Sequence, residues 1–186
     1  PVLIAEIGVN HDGDISKARL LIDQAKEAKA DFVKFQHRSL SDTYIEFDGN
    51  NASELSTEST IDHLKKVNLS IEQLRELFDY ARDVGIPPLC TPFDMVSLDE
   101  VLSLQPVAIK IASADLLNFD LIEKAANTQL PLILSTGMHT ENEIIAAVNF
   151  LRLHTAKIII LHCVSSYPAE SSSLNLVYIQ RLKELC

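Results

Sequence analysis

The sequence predicts an α/β fold built on a parallel sheet, a (β/α)8 TIM barrel of which the chain carries about six βα units. Six short runs, "VLIAEIGV", "DFVKFQ", "PPLCTPF", "VAIKIAS", "PLILSTG" and "KIIILHCVSS", are nearly continuous in apolar residues, as strands buried on both faces are. Segments with apolar residues at helical spacing separate them, and strands alternating with helices build parallel sheets. The turn after the first run, "GVNHDGD", supplies no G-x-G-x-x-G, which sets the barrel above a doubly wound nucleotide-binding sheet.

In order, the first strand carries an acid, Glu6, in its middle and Asn10, His11 and Asp12 at its end. The second places Lys34 and Gln36 on one face by alternation. From about His37 to Asn68 the connection is polar and longer than a structural link requires, and reads as a lid or an oligomer contact. The helix that follows, "SIEQLRELFDYARDVG", has Leu74, Leu77, Phe78 and Ala81 on one side, Ser70 and Gln73 as a capping box, and Gly85 as its stop. The third strand ends near Thr91, and the fourth brings Lys110, Ser113 and Asp115. Ser135 and Thr136 close the fifth strand. Thr140 and Glu143 then open a helix with Ile144, Ile145, Val148 and Leu151 on one face. The sixth strand leads to His162, Ser165, Ser166 and Tyr167, before a last helix of roughly "LNLVYIQRLKEL". A barrel needs eight such units in about 250 residues. Residues 1–186 are therefore expected to form an incomplete TIM barrel.

Composition narrows the function. The 186 residues are 47% hydrophobic, enough to bury a core, and carry a net charge of −10 with no basic run, which disfavours nucleic acid and anionic membrane as partners. The apolar runs fall far short of the roughly 20 residues a membrane span needs, and no secretory signal pattern opens the chain. Three widely spaced cysteines suggest neither a disulfide framework nor a cysteine-rich zinc site, so a reducing cytoplasm is expected.

In parallel α/β folds ligands sit at the carboxyl ends of the strands, so the polar residues there are expected to converge on one mouth. Two lysines with a set of hydroxyls suit a phosphorylated or carboxylated small molecule, ammonium neutralising it and hydroxyls donating to its oxygens. A strand-end lysine can equally pair with a neighbouring acid and seal the mouth. Glu6 has three readings: partner of a lysine, acceptor for sugar hydroxyls, or base. His11 and His162 are weaker signals, because isolated histidines are mostly structural. His37, His63, His139 and His154 read as surface or loop residues.

Six strings in order, "IAEIGVNHDGD", "FVKFQ", "CTPFD", "KIASAD", "PLILSTGM" and "LHCVSSYPA", closely resemble the N-terminal barrel of the sialic acid synthase family, whose members make N-acetylneuraminate, legionaminate or pseudaminate. The resemblance covers almost the whole chain. It implies a transferase that condenses phosphoenolpyruvate with an N-acetylated amino sugar such as N-acetylmannosamine, forming a carbon-carbon bond and releasing phosphate. It also implies a divalent metal, Mn2+ or Mg2+, as Lewis acid, and a cytoplasmic homodimer. Lys34, Thr91, Lys110, Ser113 and Ser135 match positions that hold phosphoenolpyruvate. Glu6 and Gln36 match positions facing the sugar, with Glu6 a candidate proton shuttle, and Tyr167 lies where members contact substrate.

Two departures bear on this. Ala114 and Asp115 stand where many members have glycine and glutamate, leaving Asp115 as a shorter candidate acid. Ser165 stands where some have asparagine. The family's metal-binding histidines belong to later strands, so no metal ligand is assigned here. Those strands and the family's small C-terminal antifreeze-like domain are expected to be missing from the chain, and the fragment alone is expected to be inactive. A Schiff-base aldolase using Lys34 or Lys110, and a non-catalytic phosphate- or sugar-binding module, are the alternatives.

Overall fold

A computed structural model of the chain describes residues 1–43, 62–155 and 157–185, and it divides into two compact units, Pro1–Pro106 and Val107–Cys186. The expectation of a lid falls mostly on residues 44–61, outside the described residues.

In the first unit the strands β1 (Ile4–Gly8), β2 (Phe32–His37) and β3 (Pro88–Pro92) pair in chain order, all parallel. Helix α1 (Ile15–Glu27) joins the first two. Asp14 starts it, its carboxylate accepting from the backbone N–H groups of Ser16 and Lys17, two donors that the first turn leaves without partners. After β2 come a short helix α2 (Leu40–Thr43), a helical stretch α3 over residues 62–67, and α4 (Ile71–Asp83). The capping box read at Ser70 and Gln73 is formed, and Leu74, Leu77, Phe78 and Ala81 are buried. They pack with Ile22 of α1 and with Val33 and Phe35 of β2 into one core.

Helix α5 (Met95–Ser103) follows β3, and its cap Asp94 does more than begin a helix. The carboxylate accepts from the N–H groups of Ser97 and Ser39 and from the Thr43 hydroxyl, fastening the segment beyond β2 to the end of β3. Burial alone would raise its pKa. The hydrogen bonds outweigh burial and hold it below the usual carboxylate value.

The second unit repeats the scheme with β4 (Ile109–Ile111), β5 (Leu132–Ser135) and β6 (Ile158–Leu161), again parallel and in chain order. Helices α6 (Phe119–Asn127), α7 (Glu141–Leu151) and α8 (Tyr178–Leu185) follow the three strands. A 3-10 turn, Ser113–Asp115, lies between β4 and α6. Thr140 and Glu143 form the expected capping box.

The strands were expected to be buried on both faces, which β3, β4 and β5 are. The strands β1 and β6 are not: Glu6 is exposed in β1 and Ile159 is 49% exposed in β6. Among the described residues each is paired along one edge only, by β2 and β5 respectively, so less of the protein covers it. With six strand-and-helix units at this order and spacing, the fold is that of the (β/α)8 barrel.

Candidate active site

Strand register fixes which side chains meet in the first unit. Glu6 lies opposite Lys34, and Gln36 opposite Thr91, and in a parallel ladder such partners share a face. Lys34 accordingly pairs with the Glu6 carboxylate and donates to Thr91 Oγ1 at 3.1 Å. The lysine side chain is 11% exposed but that of Glu6 is 46% exposed. Water thus reaches the carboxylate, while the buried ammonium draws its partners from Glu6 and Thr91.

The register shifts between Glu6 and Gly8, where the backbone takes a φ of +50°. A Cβ at Gly8 would lie 3.0 Å from Glu6 Oε1 and 3.3 Å from Gln36 Nε2. Glycine therefore lets an acceptor and an amide close in on the strand end, forming a cradle too tight for a Cβ.

Arg38, which the sequence reading missed, continues the alternation of Lys34 and Gln36 two residues beyond. It is buried, donates from Nη2 to Gln36 Oε1 at 2.9 Å, and lies 4.1 Å from the centre of the Phe93 ring. The signal was present in "FVKFQHR", where every second residue from Lys34 is polar.

His37 faces the opposite way. Expected on the surface, it is 4% exposed and donates from Nε2 to Glu100 Oε2 at 2.6 Å, because strand alternation turns it toward α5. His11 is buried in the β1–α1 turn, with Nδ1 accepting from the Gly13 N–H at 3.0 Å. Burial lowers its pKa, and it serves as a structural residue. Cys90, buried among these groups, has its thiol pushed up to about 12 by desolvation, so it stays protonated.

The second unit holds a cluster richer in hydroxyls. Lys110 is buried and donates to Ser135 Oγ and to the Ile111 carbonyl. Cys163, which the sequence reading did not single out, donates to the same Ser135 oxygen at 3.2 Å. Ser113 Oγ accepts from the Gly137 N–H at 3.1 Å, which leaves its own proton to donate elsewhere. A Cβ at Gly137 would lie 2.2 Å from Ser165 Oγ and 3.0 Å from Ser113 Oγ, so only glycine lets these two serines close around the strand end. Hydroxyls and an ammonium are the donors an anionic oxygen requires.

His139, in the loop before α7 as expected of a surface or loop residue, nevertheless has a side chain only 12% exposed and donates to the Ser113 carbonyl at 2.7 Å, bracing the 3-10 turn that presents Ser113 and Asp115. Thr136 and His162 are turned to structure instead. The Thr136 hydroxyl donates to the Leu161 carbonyl, and His162 Nε2 donates to that of Leu174. Tyr167 is 95% exposed and makes no hydrogen bond among the described residues.

A solved N-acetylneuraminic acid synthetase of Leptospira borgpetersenii superposes on 99% of the chain with a TM-score of 0.88 and 34% identity, the chain covering 61% of it. A DAHP synthase of Thermotoga maritima, 16% identical with a TM-score of 0.65 over 99% of the chain, shares the fold. The N,N'-diacetyllegionaminic acid synthase of Legionella pneumophila is 37% identical over 98% of the chain. The chain spans about half the length of the curated relatives it matches, 54% in that case. The description of the NeuB family matches residues 21–186, and the chain, carrying this barrel architecture and these strand-end clusters, belongs to that family.

Proposed function

We propose that the protein condenses phosphoenolpyruvate with an N-acylated amino sugar, giving a nonulosonic acid and inorganic phosphate. The observation that carries this reading is the cluster at the carboxyl ends of β4 and β5, where a buried ammonium and serine hydroxyls, one of them released as a donor by the Gly137 N–H, come together in a NeuB-family chain.

In this reading Lys110, Ser113 and Ser135 hold the anionic groups of phosphoenolpyruvate, and the family resemblance gives Lys34 and Thr91 the same role. The methylene carbon of phosphoenolpyruvate attacks the aldehyde carbon of the open-chain sugar, and the aldehyde oxygen takes up a proton. Water adds to the resulting cationic carbon and loses a proton. The hydroxyl of the tetrahedral carbon then gives up its proton to the departing phosphate as the bond to the phosphate oxygen breaks, leaving the keto group. Glu6, paired with Lys34 and with its side chain about half exposed, is the group that would accept from a sugar hydroxyl or relay a proton. Asp115 is the candidate acid on the other cluster.

A divalent metal would polarise the aldehyde. Among the described residues no three His, Cys, Asp or Glu side chains converge to hold one, so no step here is routed through a metal. The homodimer and cytoplasmic location belong to this proposal on the strength of the family resemblance. Among the described residues no helix is long and apolar enough to cross a membrane.

The test is phosphate release by the full-length protein with phosphoenolpyruvate, Mn2+ and a panel of N-acetylated hexosamines, with Lys110→Ala and Glu6→Ala beside it. Sugar-dependent release that falls at least about a hundredfold in Lys110→Ala, as loss of a buried charge on the substrate predicts, supports the reading. No release with any sugar from folded, metal-loaded protein contradicts it, and a borohydride-trapped adduct on Lys34 or Lys110 would assign an aldolase instead.

A further inference from the structure

We infer that Arg38 is a positioning residue that locks the Gln36 side-chain amide with its NH2 toward the Gly8 cradle, so that Glu6 and Gln36 together read one hydroxyl of the sugar. The inference deepens the reading above and rests on it. An amide can be turned end for end within the same outline, and its partners decide which end faces where. A guanidinium has five donors and no acceptor. Arg38 Nη2, 2.9 Å from Gln36 Oε1, therefore fixes the oxygen on its own side and the nitrogen on the other.

Arg38 is itself held. Its guanidinium lies against the Phe93 ring at 4.1 Å, and its carbonyl accepts from Asn68 Nδ2 at 3.2 Å. Among the described residues Gln36 Nε2 makes no hydrogen bond of its own, and it flanks, with Glu6 Oε1, the space a Cβ on Gly8 would take. An ionised carboxylate only accepts and an amide NH2 only donates. A hydroxyl satisfies both at once, giving its proton to Glu6 and accepting from Gln36. An ammonium cannot accept from Gln36, and a deoxy carbon serves neither. Sites that pair both functions of a hydroxyl discriminate strongly against analogues lacking it.

The experiment compares Arg38→Leu, Arg38→Lys and Gln36→Glu in the full-length protein, reading KM for sugar, KM for phosphoenolpyruvate, kcat and Tm. Arg38→Leu frees the amide to turn, and its sugar KM rises about tenfold, the loss of one hydrogen bond, with the phosphoenolpyruvate KM within about twofold. Arg38→Lys, a donor-only replacement, recovers most of that loss. Gln36→Glu puts an acceptor where a donor was needed and raises the sugar KM at least as far. A folded Arg38→Leu with wild-type sugar KM, or one in which only kcat falls, overturns the inference.

A second readout stands apart from turnover. In 15N-labelled protein the Gln36 NH2 resonance, assigned by its loss in Gln36→Glu, shifts on adding N-acetylmannosamine to wild type and not to Arg38→Leu. No shift in wild type overturns the inference even where phosphate is released. Absence of release with any sugar overturns the condensation itself.

Discussion

The cradle at Gly8 and the cradle at Gly137 are built alike and furnished differently. Each sits at the carboxyl end of a parallel strand, and each exists because the glycine carries no Cβ. Around Gly8 the walls are long side chains bearing charge or an amide, Glu6 and Gln36, with Arg38 behind them. Around Gly137 the walls are short, two serine hydroxyls and the Cys163 carbonyl. Long side chains can swing to meet a ligand with several hydroxyls, whereas short hydroxyl side chains attached directly to the backbone hold their donors in fixed places. The first suits a sugar and the second an anion of defined shape.

That contrast predicts an order of sensitivities. Gly137→Ala has the largest effect: with 2.2 Å to Ser165 Oγ and 3.0 Å to Ser113 Oγ the methyl displaces both serines, at a cost of about 1–3 kcal/mol, which weakens phosphoenolpyruvate binding roughly ten- to a hundredfold. Gly8→Ala is milder in space, since its nearest atoms at 3.0 and 3.3 Å are ends of flexible side chains, but the φ of +50° remains. Denaturant unfolding of Gly8→Ala should show a loss of about 1–2 kcal/mol, accompanied by a raised sugar KM.

Smaller still is Asp94→Asn, which loosens the tie between α5 and residues 39–43 and lowers stability by about 1 kcal/mol. Because the folded Asp94 carboxyl titrates below its ordinary value, its contribution is full above the unfolded carboxylate pKa, about 3.9. It is lost as pH falls through the lower folded value. An acid-unfolding series in which Asp94→Asn and wild type differ at neutral pH and converge in strong acid sharpens the picture of a first cradle anchored from behind.

Much of this was legible in the sequence, and the reasons differ residue by residue. The capping boxes at Ser70 and Thr140 are local patterns whose partners lie three residues away, so no tertiary knowledge was needed. Lys34 and Gln36 shared a face because alternation is a property of the strand alone. The same rule extended past the strand end finds Arg38, and applied to its neighbour turns His37 inward to Glu100. Stopping the pattern at Gln36 cost both residues.

The Lys34–Glu6 pair was one of three readings open for Glu6, and only the β1–β2 register selects it. What could not be read is the close approach of Gly137 to Ser113 and Ser165, since sequence records a glycine and not what its missing Cβ would strike. Thr136 and His162 resemble site residues equally well on paper, and backbone carbonyls brought in by the fold claim them.

The assignment of the two cradles is tested most directly by calorimetric titration of phosphoenolpyruvate into wild type, Gly137→Ala and Gly8→Ala, each checked for folding by Tm. The account predicts that Gly137→Ala weakens phosphoenolpyruvate at least about tenfold while Gly8→Ala holds it within about twofold of wild type. Undiminished binding in a folded Gly137→Ala, or the larger loss in Gly8→Ala, would contradict it.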